Sequence, residues 1–77
     1  MSDTNRKITA VISYIVNSKE SIIEYRGVTI STLVKDINER IVKFRDEYGE
    51  DVHISCSKEI YDELIQHINY RFFINTD

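Results

Sequence analysis

Proline and tryptophan are absent from the 77-residue chain, glycine occurs only at Gly27 and Gly49, and Cys56 is the one cysteine. Two isolated glycines cannot build a glycine-rich phosphate loop. One cysteine forms no internal disulfide, so the fold needs no oxidising compartment and a cytoplasmic setting is the simpler expectation. Long apolar runs are missing as well. Nothing approaches the length of a membrane span, and the stretch after Lys7 is interrupted by Thr9, Ser13 and Tyr14, unlike a signal peptide. Nor is there an excess of positive charge: the net charge is −3, with both signs scattered along the chain. Phosphate contacts supply most of the affinity of nucleic-acid binders, so that role is disfavoured and would require a local patch. Leucine occurs only at Leu33 and Leu64 and alanine only at Ala10, whereas Ile, Asn, Lys and Tyr are plentiful. This bias suggests an AT-rich genome, that of a low-GC bacterium or of a virus infecting one.

What remains is a globular balance, 42% hydrophobic and 30% charged. The length fits one domain spanning residues 1–77, with a polar and loose start over 1–6. A chain this short buries only about 60–65% of its unfolded surface, so a homodimer that supplies extra core is expected.

Residues 7–16 are rich in β-branched side chains, and Ile8, Ala10, Ile12, Tyr14 and Val16 fall on one face of a strand. Ile8, Val11, Ile12 and Ile15 also fit a helical face, but β-branched side chains lose rotamer freedom in helices, which favours the strand. Residues 17–20 read as a turn and 21–26 as a second strand, with Gly27 permitting a bend. Ile30, Leu33, Val34, Ile37, Ile41, Phe44 and Tyr48 recur at three- and four-residue spacing, an amphipathic helix of about five turns. Thr29 or Ser31 can cap its start and Gly49 its end. Asp36 with Arg40 and Glu39 with Lys43 form i,i+4 pairs on it. Residues 51–56 alternate as a third strand that turns Val52, Ile54 and Cys56 inward. Ser57 caps a second helix whose stripe is Ile60, Tyr61, Leu64, Ile65, Ile68 and Phe72. Asn69 can stop that helix, leaving 70–74 as its last turn or as a short terminal strand. The expected fold is α+β: a hairpin followed by α-β-α, in a small two-layer sandwich with both helices on one face of the sheet.

Candidate chemistry is scarce. Cys56 lies where a strand meets a helix N-terminus, a place that favours a thiolate. However, Cys56-Ser57-Lys58-Glu59 is no Cys-x-x-Cys pair, and strand phase turns the thiol inward, so it reads as a small core hydrophobe. His53, His67 and Cys56 lack the paired spacing of a zinc site. Glu50-Asp51 and Asp62-Glu63 are sequence neighbours, which do not converge on one substrate atom. No catalytic residue, metal or cofactor is assigned, and the chain is expected not to be an enzyme.

The exterior is left to carry function. Asp46, Glu47, Glu50 and Asp51 crowd the C-terminus of the first helix, where negative charge opposes the macrodipole. Such a break with a local rule can mark a binding surface for a basic partner. Tyr25, Arg26, Tyr70, Arg71 and Phe73 add aromatic and arginine side chains of the kind enriched at interfaces. The leading expectation is a small protein-interaction module, an accessory protein of a phage or mobile element that binds and inhibits a host factor in the host cytoplasm. Two alternatives stand beside it. One is a nucleic-acid or nucleotide binder using Tyr25, Arg26 and Arg71 with Lys7 and Lys19. The other is a structural homo-oligomer built on the hairpin edge or on residues 70–73.

Overall fold

The structure, a computed structural model, describes residues 6–74. Strand β1 (Lys7–Val16) and strand β2 (Lys19–Thr29) form an antiparallel hairpin. Asn17 and Ser18 connect them with φ of 54° and 65°. Two consecutive left-handed residues make a type I′ turn, whose twist matches that of the flanking strands. Near the other end of the hairpin the register shifts between Ile8 and Ala10. This β-bulge places Gly27 at a φ of 63°, in the left-handed region that a residue without a Cβ adopts without strain.

Helix α1 (Ile30–Tyr48) follows β2 directly. The Thr29 side chain accepts the Thr32 N–H at 3.1 Å, and Gly49, at a φ of 74°, donates its N–H to Arg45 O at 2.8 Å. Both helix ends are thus satisfied by the residues whose types suggested it. Strand β3 (His53–Ser55) then pairs antiparallel with β1, giving a three-stranded sheet of order β2-β1-β3. Helix α2 (Lys58–Leu64) starts on Ser57, whose hydroxyl accepts the Ile60 N–H at 3.4 Å.

One core joins these elements. Ala10, Ile12, Tyr14 and Val16 of β1 meet Leu33, Ile37 and Ile41 of α1, Val52, Ile54 and Cys56 of the β3 segment, and Leu64 and Ile68. Because the buried residues of β1 are alternate ones, a single sheet face is covered, and both helices cover it. Burying one such Leu or Ile side chain contributes about 1.5–3 kcal/mol. Among the described residues, no buried side-chain nitrogen or oxygen lacks a hydrogen-bond partner.

The C-terminal part departs from expectation. Helix α2 ends at Leu64, so Phe72 is not part of its stripe, and Ile65 is exposed. After Leu64 the His67 and Ile68 amides, both at 2.9 Å, converge on the one Leu64 carbonyl and tighten the chain out of the helix. Asn69 is extended, with ψ of 130°, and its side chain accepts the Arg71 N–H at 2.9 Å, starting a 3-10 turn over Tyr70–Phe72. The terminal strand shrinks to a single parallel bridge between Ile54 and Phe73, closed by the Ile74 N–H donating to Ile54 O at 2.8 Å. Of the start expected to be loose, residues 1–5 lie outside the described residues. Arg6 lies 3.2 Å from Glu63 of α2.

Candidate protein-binding surface

The half-buried polar chemistry of the fold is concentrated where β1, β2 and α1 meet. Strand phase turns Tyr14 and Tyr25 to the helix side of the sheet, and their hydroxyls lie 2.8 Å apart. The Tyr25 hydroxyl donates to Asp36 Oδ2, and Arg40 Nε donates to the same oxygen at 2.8 Å. The Arg40 guanidinium also sits 5.7 Å from the centre of the Tyr14 ring. Burial, followed by its hydrogen bond with Tyr25, holds the Tyr14 phenol far above its ordinary range. Burial and then the Asp36 contact raise Tyr25 as well. Burial pushes Asp36 upward, but the Tyr25 hydroxyl and the Arg40 guanidinium outweigh it and hold the carboxyl below its usual value. The phenols are therefore held neutral and the carboxylate charged, with every partner inside the fold. This arrangement fastens β2 to α1; it offers neither a phenolate nucleophile nor a free base.

Cys56 is buried, and burial pushes its thiol up to about 11, which favours the unreactive thiol form. His53 is exposed on β3. His67 lines a shallow cleft of about 230 Å³ with Ile30, Ser31 and Val34. The histidines are thus not brought together with Cys56. Among the described residues, no group of three or more His, Cys, Asp or Glu side chains converges as a metal site.

The remaining candidates are distributed unevenly. Asp46, Glu47 and Glu50 are exposed at the end of α1. Asp51 is set apart from them: Arg71 Nη2 lies 3.4 Å from its Oδ2 and Arg45 Nη1 lies 3.8 Å from its Oδ1. This bridge carries the 3-10 turn to the acidic end of α1. The turn is held from behind by Phe73, which packs edge-on against Tyr61 at 5.1 Å, and by the Arg71 guanidinium, 4.8 Å from the Phe72 ring centre. Tyr70 is left 73% exposed, the most exposed large hydrophobic side chain among the described residues, and Tyr48 is 40% exposed on the same helix end as Asp46 and Glu47. Two groups that are some twenty residues apart in sequence therefore share one end of the molecule.

Tyr25 and Arg26 do not join them. The Tyr25 hydroxyl is taken up by Tyr14 and Asp36, while Arg26 points to the open side of β2 beside Glu24 at 3.2 Å. Lys7 and Lys19 occupy opposite ends of the hairpin, roughly 30 Å apart at the rise of an extended strand. The cationic side chains proposed for nucleic acid are thus not gathered into one groove.

Two features escaped the sequence reading. The polar network was hidden because Asp36–Arg40 resembles an ordinary surface pair; the available signal was the strand phase that sets Tyr25 with Ile23 on the covered face. The second is the uncovered sheet face, where Val11 and Ile22 are 50% and 63% exposed.

No family model matches the chain, and no curated protein or solved structure is significantly similar to it. No helix among the described residues is long and apolar enough to cross a membrane.

Proposed function

We propose that the chain is a non-catalytic protein-interaction module that binds a basic surface of its partner through the end of the fold formed by the α1 C-terminus and the 3-10 turn. The observation that carries this reading is the Arg71–Asp51–Arg45 bridge. It ties the turn that carries the exposed Tyr70 to the end of α1 that carries the exposed Asp46 and Glu47, and Tyr and Arg side chains in such a setting dominate binding energy at interfaces. Asp46, Glu47 and Glu50 supply the long-range attraction that speeds encounter, and Tyr70 supplies contact area. The AT-rich residue usage supports an accessory protein of a phage or mobile element that inhibits a host factor. The single cysteine supports a cytoplasmic place of action.

The test is affinity capture from a lysate of the host, with mass-spectrometric identification. It compares the native chain with Asp46→Lys/Glu47→Lys/Glu50→Lys and with Tyr70→Ala. These side chains are exposed and lysine suits the C-terminal end of a helix, so neither variant is expected to lower the thermal midpoint. A specific partner is retained by the native chain and lost by both variants. Equal recovery by all three would remove this surface from consideration.

A further inference from the structure

Strand β2 is an edge strand of 11 residues, and among the described residues nothing pairs with its outer side. The type I′ turn sets which backbone groups face outward. Val16 and Lys19 close the turn and bond to each other, and alternation along the ladder then directs Ser21, Ile23 and Tyr25 toward β1. Glu20, Ile22 and Glu24 are left with their N–H and C=O groups aimed away from the sheet. An extended strand satisfies such a row of groups.

We infer that the occupant is a second copy of this chain, its β2 antiparallel to the first across a two-fold axis at Ile23, so that Glu20 of each copy faces Arg26 of the other. The axis of such a joined sheet is perpendicular to it, so residues of the same face must pair, and only registers centred on a residue are allowed. Centring on Ile22 sets Glu20 against Glu24, and centring on Glu24 sets Glu24 against itself. Both place like charges directly opposite, which destabilises a sheet. Centring on Ser21 pairs Glu20 with Ile22 and leaves the charges unmatched. Centring on Tyr25 pairs Glu24 with Arg26 but runs the ladder through the bulge at Gly27. Centring on Ile23 matches Glu20 with Arg26 twice, brings the two exposed Ile22 side chains into diagonal contact, and stops short of Gly27.

The outward backbone groups and Ile22 provide the attraction. The charges select the register, as exposed ion pairs do more effectively than they add affinity. Arg26 is free to swing to this role because its existing contact with Glu24 is a surface pair with 78% of the arginine side chain exposed.

The experiment is sedimentation equilibrium of the full chain over a concentration series at low salt. The expected result is a monomer–dimer equilibrium that Arg26→Glu weakens by about tenfold, the order expected when two symmetric cross-strand pairs become like-charged contacts. The double variant Glu20→Arg/Arg26→Glu restores it. Ile22→Pro removes an outward N–H, a position where an edge strand accepts proline, and abolishes the dimer; where that variant does not fold, the charge exchange decides alone. A chain that stays monomeric at millimolar concentration overturns the inference. So does a dimer that Arg26→Glu leaves unchanged, or one that the double variant fails to recover.

Discussion

The Tyr25 hydroxyl donates to the Asp36 carboxylate, tying the edge strand β2 to the middle of α1. Tyr14 and Arg40 complete the group, so removing the Tyr25 hydroxyl strands the buried hydroxyl of Tyr14 and leaves Asp36 to Arg40. Tyr25→Phe is expected to cost about 1–3 kcal/mol, the penalty of stranding one buried hydroxyl and removing one of the donors to a carboxylate. Asp36→Ala removes the acceptor common to Tyr25 and Arg40, and its effect in the Tyr25→Phe background is expected to be smaller than in the native chain. Urea denaturation of the two single variants and the double variant measures both. Additive effects would mean that the contact does not couple the strand to the helix.

The same group, together with the buried Cys56, sets the limits of the pH range. Asp36 has a lowered folded pKa, so its contribution is present above the ordinary carboxyl range and is lost as pH falls through the folded value. Tyr14, Tyr25 and Cys56 have raised folded values. The unfolded chain therefore releases their protons first, and stability falls as pH rises through the unfolded values near 9 and 10. The thiol alone, moved from 9.0 to about 11, accounts for a loss of about 2–3 kcal/mol by pH 11. Thermal midpoints measured from pH 7 to 11 are expected to fall from about pH 9 onward. Cys56→Val is expected to flatten the first part of that fall; an unchanged profile would show that the thiol does not contribute.

Local patterns in the sequence specified most of this architecture. Alternation over residues 7–16 and the stripe from Ile30 to Tyr48 each bury one face, and the capping residues Thr29, Gly49 and Ser57 act at the expected ends. The strand that reads as 21–26 extends to Lys19 and Thr29 because pairing with β1 recruits Lys19 and Glu20, which carry no strand signal of their own, and carries the strand past Gly27 through a bulge. The end of α2 was not legible for a related reason: Ile60, Leu64 and Ile68 keep helical spacing, and all pack on the core although the backbone leaves the helix after Leu64. On the surface, the acidic run and Tyr70-Arg71 were visible as separate segments. Their meeting through Asp51 depends on tertiary pairing of β3 with Phe73, which no local pattern encodes.

That dependence makes Phe73 a support for the proposed binding surface although it is itself only half-exposed. Its ring packs edge-on against Tyr61, and its backbone lies in the bridge with Ile54. Phe73→Ala removes the aromatic contact and much of the side-chain burial. The expected cost is about 2–3 kcal/mol, below the 3–5 typical of a fully buried phenylalanine. The amides of Tyr70–Phe73 are expected to lose hydrogen-exchange protection before those of β1. Partner affinity is expected to fall along with the turn, even though Tyr70 is unchanged. Retained protection in the turn would show that the Arg71–Asp51 bridge holds it without the ring.

The hairpin turn offers a change of the opposite sign. Ser18 sits at a φ of 65°, a left-handed conformation that costs an L-residue with a Cβ about 1–2 kcal/mol. Asn17, at 54°, is a residue type that tolerates the region, and Asn-Gly is the favoured pair for a type I′ turn. Ser18→Gly removes the steric cost but gives the unfolded chain more freedom, which offsets about 0.4–1 kcal/mol. The Ser18 side chain is exposed, so little packing is lost. The net expectation is a gain of up to about 1 kcal/mol, seen as a higher urea midpoint with an unchanged slope. The gain should arise at the turn itself, with slower exchange of the Lys19 amide. A lower midpoint would show that the serine is held in the turn by something other than the backbone preference.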